Sequence, residues 1–246
     1  MPRLEACLVD AYDTILTCDF SILRNELSAL AGISPDTWQV EYARIGAKVS
    51  DGRISKTEAF ARLLRAAERE AHPGLVAELV RQDQDLLLAH ARLYDDVIPF
   101  LRGLRERGIK VAIVSNCAEN TRPLLVKHGI DALADTLVLS CEVRSAKPEA
   151  EIFRCALDRL GVAADAAVFV DDQAGYCAGG VAAGIRAVQI VRPDLNGQGL
   201  DGQGLDGQMP ASGTMVVRSL PEVEALFGVQ PGPATRVRGG QRSRPA

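Results

Sequence analysis

Short, largely apolar runs alternate along this chain with longer amphipathic segments, and the two periods predict different elements. Ala6–Val9, Val111–Val114, Thr136–Leu139, Ala167–Val170, Ala187–Ile190 and Met215–Val217 are three or four residues long and lack a polar face. That is the pattern of strands buried on both sides of a parallel sheet. Phe20–Leu30, Pro35–Val49, Lys56–Glu70 and Pro73–Ala91 carry the helical period, punctuated by Gly32, Gly46 and His72-Pro73-Gly74. The alternation predicts an α/β fold, a parallel sheet with helices on both faces.

All four amphipathic segments fall between the first and second strands. A block of some seventy residues is far more than a strand-to-strand connection needs, so it reads as an inserted helical module. Placed directly after a strand end, such a module can close over that end as a lid. The expected division is residues 1–17 and 95–228 for the core and 18–94 for the helical insertion. The tandem LDGQG repeat in 196–208 reads as a flexible glycine loop, and the Pro/Gly/Arg-rich stretch 229–246 as a disordered tail.

Composition narrows the function classes. With 246 residues, 47% hydrophobic and 24% charged, the chain can bury a full core, and its formal net charge of -4 argues against nucleic acid as a partner. Six cysteines with no CxxC spacing, and three scattered histidines, predict reduced thiols and no zinc site. No apolar run approaches the length of a membrane span, and the N-terminus lacks a signal-peptide core, so a cytoplasmic protein acting on a small molecule is expected, with no membrane partner and with room for a homodimer.

Candidate chemistry collects at strand ends, where open α/β sheets bind ligands. Asp10 and Thr14 follow the first strand, Ser115-Asn116 the second, Lys147 the third with Pro148 behind it, and Asp171-Asp172 the fourth. A carboxylate nucleophile, hydroxyl donors, a lysine and an acid pair able to hold a hard cation are the parts that phosphoryl transfer to an aspartate needs.

These residues resemble the four motifs of the haloacid dehalogenase (HAD) superfamily, and the helical insertion resembles its C1-type cap. The resemblance spans about Leu8 to Ile190. It implies a Rossmann-like core with Asp10 as nucleophile, and Thr14 and Ser115 as donors to the transferring group. Lys147 would be the charge-balancing lysine, and Mg²⁺ would be held by Asp10, the Tyr12 carbonyl and Asp172, with Asp171 touching the metal directly or supporting its ligands. The implied activity is Mg²⁺-dependent phosphatase or phosphotransferase chemistry on a small phosphorylated metabolite, through a phospho-aspartyl intermediate.

One departure stands in the first motif, LVDAYDTIL. Phosphatases of the family usually carry DxDGT, whereas here Tyr12 occupies the acid position and Asp13 the glycine position. A phenol with a pKa near 10 is a poor general base at neutral pH. The tyrosine resembles the DxYGT of the dehalogenase branch, which acts at carbon without metal, and that alternative stays open beside a non-catalytic HAD-fold binding protein. Against the dehalogenase branch, Asp171-Asp172 beside Asp10 would repel an incoming carboxylate unless a cation were present. Tyr176 stands where the family usually has a further acid or asparagine, which would weaken the hold on Lys147 or the metal. Tyr12, Asn116 and the cap residue Arg44 are candidates for contact with the substrate or leaving group. Cys117 reads as a packing residue, Asp95 and Asp96 as helix-start residues, and His72, His90 and His128 have no assigned role.

Overall fold

The computed structural model of the protein describes residues 3–192 and 214–228. The glycine-rich 196–208 and the stretch 229–246 lie outside the described residues. Six strands form one parallel sheet: β1 (Ala6–Val9), β4 (Lys110–Ser115), β5 (Thr136–Leu139), β6 (Ala167–Asp171), β7 (Arg186–Ile190) and β8 (Met215–Val217), in the order β5-β4-β1-β6-β7-β8. The register sets Val9 beside both Ile113 and Val170, so the carboxyl ends of β1, β4 and β6 are neighbours. A shared end is what lets residues far apart in sequence meet.

Alternate residues along each strand feed opposite faces. Ala6, Leu8, Ala112, Val114 and Phe169 pack with Ile152, Phe153 and Ala156 of α9 (Ala150–Leu160). Cys7, Val9, Val111, Ile113 and Val170 pack on the other side with Val97, Phe100, Leu101 and Leu104 of α6 (Val97–Glu106). Burial on both faces explains why these strands read as apolar runs rather than alternating ones.

The insertion comprises α1 (Phe20–Ala31), α2 (Pro35–Ala43), α3 (Gly46–Ser50), α4 (Lys56–Ala66) and α5 (Pro73–His90). Their starts follow from local chemistry. Asp19, Ser34 and Ser55 accept backbone N–H groups as N-caps, Ser55 with Glu58 three residues on, and His72 caps α5 through its ring nitrogen at 3.1 Å from the Gly74 N–H. The chain enters and leaves the insertion through two short antiparallel strands, β2 (Leu16–Thr17) and β3 (Arg92–Leu93), too short for any periodicity to announce.

Two expected helices differ from the observed ones. The segment Pro35–Val49 is broken between Ala43 and Gly46, where Ile45 leaves the helical region. The segment Lys56–Glu70 stops at Ala66 because Glu68 takes a left-handed conformation at φ 56°, a role glycine usually fills and therefore usually signals. Among the described residues no helix is long and apolar enough to cross a membrane.

Candidate active site

The backbone of β1 continues one residue past the strand, the Asp10 N–H donating to the Val170 carbonyl at 2.9 Å, and this places the Asp10 carboxyl against the end of β6. Lys147 reaches the same point from the loop after β5. Its Nζ donates to Asp10 Oδ1 at 2.5 Å and to Asp171 Oδ2 at 2.6 Å, with the ammonium 1% exposed. One oxygen from each of Asp10, Asp171 and Asp172 lies within 4.8 Å of the others.

The four groups do not balance. Three carboxylates face one ammonium, so when all are ionised the cluster is two positive charges short. Burial, and then the charges of Asp10 and Asp171, push the Asp172 carboxyl up to about 9. Burial also raises Asp171, to about 7, against the lowering effect of Lys147. Lys147 goes the other way: burial disfavours its charge, but the two carboxylates outweigh that and hold it above its ordinary value. A divalent cation would supply the missing charge, and oxygen ligands suit a hard one.

Which oxygens could hold a cation follows from what the others are doing. Asp171 is committed, Oδ2 to Lys147 and Oδ1 to the Gln173 N–H at 2.8 Å. Asp10 spends Oδ1 on Lys147. Asp10 Oδ2 and the Asp172 carboxylate remain.

The hydroxyls fit a ligand as well. Thr14 and Ser115 are fully buried, and neither Oγ has a hydrogen-bond partner within the described protein. Buried polar atoms are rarely left so. These two orphans, one in the loop after β1 and one at the end of the neighbouring β4, are hydrogen-bonding groups free to engage a ligand.

The remaining expected site residues are placed elsewhere. The Asn116 side chain engages backbone: its oxygen accepts the Lys147 N–H at 2.8 Å and its nitrogen donates to the Lys147 carbonyl at 2.9 Å, bracketing the peptide that carries the lysine. Arg44 ends α2 on the surface, 66% exposed, and pairs with Glu41 at 2.7 Å. Tyr12 shares a hydrogen bond with Thr121 Oγ1 at 3.0 Å and lies beside Phe20, ring centroids 5.8 Å apart; burial raises its phenol further above the neutral range. Asp13 takes the left-handed conformation usual for glycine there, at φ 55°, and accepts the Thr17 hydroxyl at 3.2 Å.

Tyr176, expected to loosen the hold on Lys147, instead presents its ring 5.0 Å from Nζ, with Phe169 at 5.5 Å. Two aromatic faces thus help keep the lysine charged. The loop behind is tight: a side chain on Gly179 of α10 (Ala174–Ala182) would come within 2.9 Å of Pro148 backbone atoms, so only glycine lets the helix approach the Lys147-Pro148 segment so closely. Sequence reading missed Arg192, which donates to the Thr14 carbonyl at 2.9 Å. The signal was available, since Arg192 follows β7 and so stands at a fifth strand end.

Comparison with known proteins agrees with this geometry. The family described as haloacid dehalogenase-like hydrolase matches residues 4–184. Glyceraldehyde 3-phosphate phosphatase of Methanopyrus kandleri is 33% identical over 177 residues, 69% of this chain and 76% of the relative. (S)-2-haloacid dehalogenase 4A of Burkholderia cepacia is 29% identical over 198 residues, 77% and 84% respectively. Among solved structures, a HAD phosphatase from Thermococcus onnurineus superimposes with a TM-score of 0.63 at 26% identity, covering 92% of this chain and 98% of that one.

Proposed function

The chain belongs to the haloacid dehalogenase-like hydrolases, and we propose that within them it is a Mg²⁺-dependent phosphatase or phosphotransferase acting on a small phosphate ester. The observation that carries this reading is the charge deficit around Asp10, three clustered carboxylates, two of them buried, to one lysine, together with the two unpartnered buried hydroxyls of Thr14 and Ser115. A dehalogenase working on an anionic 2-haloacid without metal would have to bring its own negative charge into that deficit.

In the proposed reaction an Asp10 oxygen attacks phosphorus, the bond to the ester oxygen breaks, and water later cleaves the phospho-aspartate to release phosphate and regenerate the carboxylate. Thr14 and Ser115 would donate to the equatorial oxygens, where charge is held through the transition state. Lys147 keeps Asp10 oriented through its hydrogen bond to Oδ1. Asp10, Asp172 and the Tyr12 carbonyl would hold the cation, with Asp171 acting on Lys147. When bound, Mg²⁺ would offset the two excess charges and polarise the transferring group.

With the Tyr12 hydroxyl committed to Thr121, the position that usually carries the general acid supplies no carboxyl. The site therefore favours esters whose leaving group is stable without a proton donor. Residues 18–94 serve as the cap that closes over the substrate, working from the cytoplasm on a metabolite.

The test is turnover of p-nitrophenyl phosphate and a sugar-phosphate panel with Mg²⁺ or EDTA. Metal-dependent release that disappears in Asp10→Asn, and rises in Tyr12→Asp for poor leaving groups, supports the reading. Halide release from 2-haloacids, unaffected by EDTA and without phosphate release, overturns it.

A further inference from the structure

Thr14 raises a question of aim. Its hydroxyl is buried and has no partner within the described protein, so no side-chain hydrogen bond of its own fixes where it points. Beyond the packing around this buried side chain, what fixes its position acts through the backbone.

The hold on that backbone comes from Arg192. Its Nε donates to the Thr14 carbonyl at 2.9 Å, while Nη1 and Nη2 fork onto the two oxygens of Asp96 at 2.8 and 2.9 Å. The guanidinium lies 4.3 Å from the centroid of the Tyr94 ring. Both supports are themselves tied down. Asp96 Oδ2 also accepts the Leu220 N–H at 2.9 Å, and the Tyr94 N–H donates to the Ile15 carbonyl at 3.1 Å. Two consecutive carbonyls after the first strand, Thr14 and Ile15, are thus pinned by residues from beyond the insertion and from the end of β7. Asp96, expected as a helix-start residue, makes no side-chain cap to α6. Its carboxylate is occupied by the arginine fork and the Leu220 N–H.

We propose that Arg192, anchored by Asp96, is a positioning residue that aims the Thr14 hydroxyl at the transferring group. The proposal rests on the phosphatase reading. A plain buried ion pair needs only the fork to Asp96; the third donor, on Nε, is what extends the arginine to the catalytic loop. Only a planar guanidinium can fork, stack on Tyr94 and donate from Nε together. Lysine keeps the charge and loses that geometry.

The experiment is steady-state kinetics with p-nitrophenyl phosphate and Mg²⁺ on wild type, Arg192→Lys, Asp96→Asn, Thr14→Ala and the Thr14→Ala/Arg192→Lys double variant, each checked for folding by thermal melt. Arg192→Lys is expected to lower kcat about ten- to hundredfold, as small misplacements of catalytic groups do, with KM moving less than about threefold. Asp96→Asn follows in the same direction. In the Thr14→Ala background the lysine substitution costs less than about threefold more, because no hydroxyl is left to aim. An unchanged kcat in Arg192→Lys, wild-type turnover in Thr14→Ala, or the same fold loss in both backgrounds overturns the inference while leaving the phosphatase reading intact. A wild type that releases no phosphate overturns both.

Discussion

Two lysines are buried in this protein, and comparing their surroundings separates architecture from chemistry. Lys56, at the start of α4, donates to Asp83 Oδ1 at 2.9 Å; Asp83 Oδ2 accepts from Asn120 at 2.7 Å, and the rings of Tyr42 and Phe60 lie within 5.5 Å of the ammonium. Lys147 is also buried and lies near two aromatic rings; burial works against the charge of both lysines, but Tyr42 and Asp83 outweigh it at Lys56, and Asp10 and Asp171 outweigh it at Lys147. By its own titration neither lysine looks more functional than the other. The difference is in the count: one carboxylate faces Lys56 and three face the site of Lys147, and the unpartnered hydroxyls of Thr14 and Ser115 stand after β1 and at the end of β4, the strands that frame that second site. A closed account marks a structural joint, here between cap and core through Asn120, and a charge deficit marks a place built for a ligand.

Removing the lysine that stands in the deficit gives the largest expected effect. Lys147→Met leaves the three clustered carboxylates with no internal cation, and Asp10 loses the group that orients it. Turnover of p-nitrophenyl phosphate is expected to fall by at least about a thousandfold. A variant within tenfold of wild type would remove Lys147 from the chemistry and reduce the comparison to two joints of different size.

The cap pair should respond in stability rather than in rate. Asp83→Leu strands a buried ammonium, which costs about 3–5 kcal/mol and corresponds to roughly 6–20 °C in melting temperature for a chain of this size. Converting both partners, Lys56→Met with Asp83→Leu, should recover most of that loss, since a buried pair is commonly replaceable by apolar residues of similar volume. Assayed well below its melt, the double variant should turn over within a few-fold of wild type. A double variant as unstable as the single one, or one that folds but is inactive, would show that Lys56 does more than join cap to core.

How much of this was legible beforehand follows the same division. The inner strands were readable nearly to the residue, because burial on both faces leaves an unbroken apolar run: Ala6–Val9 and Thr136–Leu139 are observed as expected, and the edge strand Met215–Val217 is observed too although Met215 and Val216 are exposed. So were the residues that now cluster, because strand ends in a parallel sheet converge whatever the intervening sequence. What sequence could not supply was direction. Tyr12 and Asn116 stand in the expected motifs, but the phenol turns to Thr121 and the amide turns to backbone. Arg44 lies on a cap helix whose rotation one chain of residues does not reveal, and it faces solvent. The Lys56–Asp83–Asn120 joint links positions 27 and 37 residues apart, with no periodic relation to announce it.

Asn116 sharpens the comparison from its quieter side, because it touches Lys147 only through the backbone. Its two hydrogen bonds, at 2.8 and 2.9 Å, tie the end of β4 to the peptide that delivers the lysine across the gap between β5 and β6. Asn116→Ala therefore keeps every charge in the site and removes only the bracket. Leaving the Lys147 N–H and carbonyl without partners costs about 1–3 kcal/mol of stability, and a lysine free to drift by a fraction of an ångström lowers kcat about ten- to hundredfold with KM little changed. Asn116→Asp should recover part of the rate, since one carboxylate oxygen can still accept the Lys147 N–H. Loss of substrate affinity with kcat preserved would instead return Asn116 to the substrate-contact role its motif suggested, and would mean that the charges around Asp10 hold Lys147 in place unaided.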